Sequence, residues 1–152
     1  MQTIMITGCS SGFGLETARY FLEQGWKVIA TMRAPQEGVL PASDRLRLVR
    51  LDVTSAQSIA EAIAEVGEID VLVNNAGVGM LNALEGASRE AIADLFATNT
   101  LGTIAMTQAV IPRFRERRSG TIVNITSAVT LQPMPLLAVY TASKAAVNAF
   151  TE

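Results

Sequence analysis

The chain has 152 residues, 49% of them apolar and 17% charged, which is enough apolar material for the core of a single domain over 1–152. Twelve basic against fourteen acidic residues give a net charge of -2 with no long run of one sign, which argues against a nucleic-acid or membrane surface. With no histidine and one cysteine, Cys9, the chain cannot build a Ser-His or Cys-His nucleophilic site and lacks the ligands of a structural zinc site, so acid-base chemistry falls to Tyr, Lys, Asp or Glu.

The first element is the apolar run "TIMIT" from Thr3 to Thr7, a strand that ends in glycine. Leu15, Ala18, Phe21 and Leu22 then repeat at helical spacing, so the opening reads as strand, glycine turn, helix. "KVIAT" (27–31) is a second strand, "RAPQEGVLPASD" a loop and "LRLVRL" (46–51) a third strand, followed by a helix with Thr54 and Gln57 as its expected capping box. "IDVLVN" (69–74) is a fourth strand. A glycine-bearing loop leads to helix from about Ser88 to Arg118, with Gly102 as an expected break and Pro112 as an expected kink. "RFRERRS" (113–119) reads most simply as its solvated basic end. "TIVNIT" (121–126) is the fifth strand, and a last helix begins near Tyr140. Alternating strands and helices with strands apolar on both faces predict an α/β fold, a Rossmann-type doubly wound parallel sheet in the order 3-2-1-4-5. Strand five would then be an apolar edge, and the last helix lacks a closing glycine, so the substrate-binding portion is expected to lie outside these residues. No apolar stretch reaches the roughly 18 residues of a membrane helix and the first residues lack a charged flank followed by an apolar run, so a cytoplasmic protein is expected.

"TGCSSGFG" places Gly8, Gly12 and Gly14 between the first strand and first helix, with Ser10, Ser11 and Phe13 among them. Small residues there let backbone approach a pyrophosphate, whose charge meets the free N–H groups and positive pole of the helix. The position within a doubly wound chain turns a weak motif into a dinucleotide signal, although a tight turn also uses glycine. The residue that reads the adenosine ribose is expected at the end of strand two. "ATMR" offers Arg33 and no carboxylate there, which favours a 2′-phosphate and hence NADP, with NAD possible; an exposed arginine can also simply be solvated.

"YTASK" sets Tyr140 and Lys144 four residues apart on one helical face. A nearby ammonium favours phenolate, which draws a phenol of pKa ~10 toward the working range of a proton donor. Ser127 stands just past strand five, at the carboxyl edge where open α/β sheets hold ligands. Alone, Ser127 could cap a turn, the Tyr/Lys pair could sit on a plain helix and Asn75 to Gly77 could form a turn.

Taken in order, "TGCSSGFG", "LDVT", "NNAG", "ATNTLG", "NITSA" and "YTASK" resemble the short-chain dehydrogenase/reductase family, in its TGxxxGxG and YxxxK branch. The resemblance covers the whole chain but about the N-terminal three fifths of a family member. It implies Tyr140 as general acid or base, Lys144 as the group that lowers its pKa and holds the nicotinamide ribose, Ser127 as the group that orients the substrate carbonyl, and Asn99 as the residue that bends a helix and supports a proton relay. It further implies Asp52 and Val53 at the adenine, Asn74, Asn75, Ala76 and Gly77 beside the cofactor, and Arg33 as the mark of NADP preference. The basic residue often found inside the family's glycine turn is here Ser11. The implied function is hydride transfer between NADP(H) and a small-molecule carbonyl or secondary alcohol, in a protein that forms a homodimer or homotetramer when complete. The alternative is a dinucleotide-binding protein without catalysis, or an inactive fragment. Met80, Met134 and Leu137 point to an apolar substrate pocket, or else to ordinary core.

Overall fold

A computed structural model describes residues 1–132 and 134–151 of the chain. Its elements run β1 (Thr3–Ile6), α1 (Gly12–Glu23), β2 (Lys27–Met32), β3 (Leu46–Arg50), α2 (Ala56–Val66), β4 (Val71–Asn74), α3 (Arg89–Phe96), α4 (Gly102–Arg117), β5 (Thr121–Asn124) and α5 (Ala138–Phe150). The strands form one parallel five-stranded sheet in the order β3-β2-β1-β4-β5. This is the doubly wound Rossmann-type arrangement expected, with most element boundaries within about two residues of those read from apolar periodicity.

Side-chain alternation divides the interior into two layers. Ile4 and Ile6 of β1, Val28 and Ala30 of β2 and Val73 of β4 face one cluster with Ala18 and Leu22 of α1. Met5, Ile29, Val49 and Leu72 point the other way, onto Ile59, Ala62 and Ile63 of α2 and Met106 and Val110 of α4. Strands covered on both faces have no polar positions to spare, which is why they read as continuous apolar runs. The edge strand β5 departs from this, with Val123 left 39% exposed.

Three local features differ from expectation, each because a different group satisfies the backbone. Ser55, not Thr54, caps α2 by accepting the N–H of Ser58, while the Thr54 hydroxyl donates to Asp52 Oδ1 at 2.7 Å. The helical region after Ser88 is broken by one π turn over Ala97–Leu101, which inserts an extra residue per turn just before Gly102. The basic end of α4 is not merely solvated: Arg113 donates to the carbonyls of Ile63 and Gly67, and Arg117 to that of Ile69, so both tie α4 to the end of α2 and the approach to β4. Pro112 lies inside α4. Among the described residues no helix is long and apolar enough to cross a membrane.

α4 ends with Arg118 in the left-handed region at φ 53°, a position that favours glycine because a Cβ crowds the following carbonyl. Arg118→Gly is therefore expected to stabilise the protein by ~1 kcal/mol, read as a higher urea midpoint with an unchanged slope.

Candidate functional site

The carboxyl ends of β1, β2 and β4 deliver Thr7, Arg33 and Asn75 to one edge of the sheet, where the order reverses between β1 and β4. The glycine turn fills that switch point. Gly8 adopts φ 75°, and a Cβ there would lie 2.8 Å from Ala76 Cα. At Gly14 a Cβ would collide with the Gly8 carbonyl and the Asn75 amide nitrogen. Gly14 thus serves packing of α1 onto the turn, whereas Gly12, at φ 59° with open space beside it, faces the cleft.

This edge opens into a cleft of about 750 Å³. Of the residues singled out in the sequence, its walls hold Gly8, Ser10, Ser11, Gly12, Phe13, Arg33, Asp52, Val53, Asn75, Ala76, Gly77, Ser127, Tyr140 and Lys144. Gly14 and Asn99 stand behind the wall, and both are buried. Of the remaining lining residues, Met32, Thr98 and Ile125 lie within the quoted motifs without having been singled out; they reach the cleft because they adjoin strand ends or belong to the π turn.

A dinucleotide fits the groups present. Ser11 begins α1 without a side-chain cap, and the first turn of α1 carries no acidic residue, so its free N–H groups and positive pole face the cleft uncompensated. An open glycine at the same place admits a phosphate to the backbone. Farther along, Asp52 accepts the N–H and hydroxyl of Thr54 at 2.9 and 2.7 Å. The Thr54 bonds hold the Asp52 carboxyl below its usual range, with smaller help from Arg33 and Arg50.

At the opposite end, β5 and α5 bring Ser127, Tyr140 and Lys144 together. Ser127 Oγ accepts the N–H of Val129 in a long contact of 3.4 Å, its proton has no acceptor among the described residues, and the Ser127 carbonyl accepts the Thr130 hydroxyl at 2.8 Å. Lys144 is only 5% exposed, and its Nζ donates to the Ile125 carbonyl at 2.8 Å. Burial pulls the Lys144 pKa below its ordinary value. Behind it, Asn99 Oδ1 accepts the Val78 N–H at 2.8 Å and its Nδ2 donates to the Val78 carbonyl at 2.9 Å, which pins the Gly77–Val78 backbone. Met80, Met134 and Leu137 are not core: Met134 is 56% exposed, and the other two are half-buried in loops beside the cleft.

With this geometry in view, comparison with known proteins is decisive. A family model described as short chain dehydrogenase matches residues 2–152. The chain belongs to the short-chain dehydrogenase family. A 3-ketodihydrosphingosine reductase of Bacteroides thetaiotaomicron is 41% identical over 99% of this chain and 56% of its own length. A solved serine dehydrogenase complexed with NADP+ superposes at a TM-score of 0.91 with 36% identity, covering 99% of this chain and 64% of that one. A 3-ketoacyl-(acyl-carrier-protein) reductase of Brucella melitensis complexed with NADH gives 0.90 at 29% identity, covering 99% and 67%. This short-chain dehydrogenase thus spans about half the length of the curated relative it matches, and its structural neighbours hold a nicotinamide dinucleotide of either kind.

Cys9 is a core residue rather than a site residue: it is fully buried, its Sγ lies 3.2 Å from the Ile6 carbonyl, and burial pushes its thiol up to about 12.

The buried ammonium of Lys144 makes a testable demand on stability. Its folded-state pKa lies below that of the unfolded chain, so the burial penalty is fully present below the folded pKa and is relieved as pH climbs toward 10.5. Lys144→Met is therefore expected to unfold at a higher urea concentration than the wild type at pH 7, by about 0.5 M. That advantage should narrow in parallel measurements at pH 10.

Proposed function

We propose that the protein is an NADP-preferring oxidoreductase that interconverts a carbonyl and a secondary alcohol, with Tyr140 as general acid and base. The observation that carries this reading is that one cleft holds the uncapped glycine turn at one end and Ser127, Tyr140 and Lys144 at the other.

The N–H groups at the start of α1 and the hydroxyls of Ser10 and Ser11 receive the phosphates, Asp52 and Val53 border the adenine, and Arg33 takes the 2′-phosphate. Asn75, Ala76 and Gly77 form the wall along which the cofactor lies. When bound, the nicotinamide supplies or accepts the hydride at the substrate carbon. This chain's own residues manage the oxygen. Ser127 donates its free proton to the carbonyl oxygen as negative charge develops there, and the Tyr140 hydroxyl, which no hydrogen bond among the described residues engages, delivers the proton that completes the alcohol. In the reverse direction the Tyr140 oxygen takes that proton back. Lys144 keeps one N–H on Ile125 and directs the others at the ribose and toward the phenol, whose anion the ammonium stabilises. Asn99 acts from behind by holding Val78.

The loops beside the catalytic end support an apolar substrate. Leu81 and Leu131 are 73% and 87% exposed, and Met134 joins them. Exposed apolar side chains in the loops that follow the cleft residues Gly79 and Ala128 are suited to a hydrophobic carbonyl compound. The 41%-identical relative is itself named a 3-ketodihydrosphingosine reductase, after a keto substrate.

In the full-length protein, Tyr140→Phe is expected to lower turnover by ~10²- to 10⁴-fold while leaving NADPH affinity within a few-fold. Turnover at the wild-type rate would reject Tyr140 as the proton donor. Arg33→Asp exchanges a charge-assisted contact for repulsion and is expected to weaken NADPH relative to NADH by ~10- to 100-fold in fluorescence titrations. Unchanged discrimination would remove the NADP assignment and leave the hydride chemistry standing.

A further inference from the structure

The residue between the motif positions of α5, Ser143, is 0% exposed, and a serine inside a helix contributes neither good helix propensity nor apolar contact. Its hydroxyl is fully used. It donates to the Tyr140 carbonyl at 2.7 Å and accepts from Asn99 Nδ2 at 3.1 Å. A carbonyl can only accept, so the single Ser143 proton is committed to Tyr140, and only a lone pair remains for Asn99. Asn99 must then present its NH₂ group to Ser143 and its oxygen to Val78, as the bonds to the Val78 N–H and carbonyl also require. A second bond, from the Thr100 hydroxyl to the Ser143 carbonyl at 3.0 Å, joins the same π turn to the same turn of α5 without touching the Asn99 amide.

What this junction controls lies at Gly77. A Cβ there would be 3.3 Å from Asn99 Oδ1 and 3.4 Å from Lys144 Nζ, so the amide and the ammonium converge on one point of the cleft wall. Lys144 is the next residue after Ser143, and Tyr140 is the residue whose carbonyl Ser143 holds. One hydroxyl thereby sets the π turn, the Tyr140 turn and the Lys144 stem in a common register.

We propose that Ser143 is a positioning residue that acts through Asn99: it fixes the orientation of the Asn99 amide and, with it, the placement of the Gly77–Val78 wall against Lys144. The inference rests on the catalytic reading of Tyr140 and Lys144. In the full-length protein, Ser143→Ala is expected to lower kcat about tenfold or more, because small misplacements at a reacting centre are costly, while KM and the NADPH dissociation constant stay within about threefold. Ser143→Cys, which keeps a weak donor and acceptor, is expected to recover part of that loss and serves in its place if the alanine variant does not fold. Thr100→Val removes a bond of similar burial between the same two elements and is expected to leave kcat within about twofold. Wild-type kcat in Ser143→Ala, or an equal loss in Thr100→Val, would overturn the positioning role. Retained turnover in Tyr140→Phe would instead bring down the reading beneath it.

Discussion

The site depends on the bond that welds the end of β1 to the end of β4. Thr7 Oγ1 accepts the N–H groups of Asn75 and Ala76 at 3.0 and 2.9 Å, and Asn75 Nδ2 returns bonds to the carbonyls of Thr7 and Gly8 at 2.9 and 3.2 Å. Parallel strands that meet at a switch point splay apart beyond their last ladder bond, and here side chains bridge the opening. Because Asn75 reaches across to the Gly8 carbonyl, the start of α1 must approach without a Cβ, and Gly14 follows from that constraint. The glycine turn is therefore held in shape by β4 as much as by its own sequence. Its free N–H groups stay aimed into the cleft because their surroundings are otherwise satisfied.

That weld also explains which parts of the structure could be read from the sequence. Strand order and layer assignment were legible because runs such as "TIMIT" and "VLVN" carry apolar side chains on both faces, a pattern produced by burial between two helical layers. The cleft was legible because its motifs fall at strand ends. What could not be read was who bonds to whom. Asn75 has the composition of a turn residue, and nothing local says that its amide braces a loop 67 positions away. Thr54 and Ser55 are equally good caps by type; the choice went to Ser55 because Asp52 engages Thr54. Arg113 and Arg117 looked like solvent-facing charge because the carbonyls they bind are presented by distant segments, the end of α2 and the approach to β4. In each case a polar group found a partner that only the tertiary fold supplies.

Charge is distributed along the cleft so that each end favours a different chemistry. At the α1 end, an uncapped helix start without a first-turn acid makes a region of positive potential from backbone dipoles, which are fixed in place and need no reorganisation. At the α5 end the cation is a side chain, Lys144, desolvated and bonded to a carbonyl rather than to a carboxylate. Pairing it with an acid would have relieved the burial penalty, but it would also have quenched the field the ammonium exerts on its neighbours. A lysine kept without a counter-ion among the described residues costs stability and keeps that field available.

The two sides of the cleft are built to different standards of rigidity. On the cofactor side the wall is fixed by bonds between strand ends and by Asn99, whose amide makes bonds to both backbone groups of Val78 and to Ser143. On the substrate side the loops meet through the Asn82 N–H and the Leu136 carbonyl at 2.9 Å, with Leu136 held at φ 63° and its neighbours Leu131 and Met134 exposed. Under the proposed function the same hydride and proton move for every substrate, which demands a fixed geometry on the first side. Under the same proposal the substrate body meets the exposed apolar side chains of these loops, which lie apart from the bonds that weld β1 to β4.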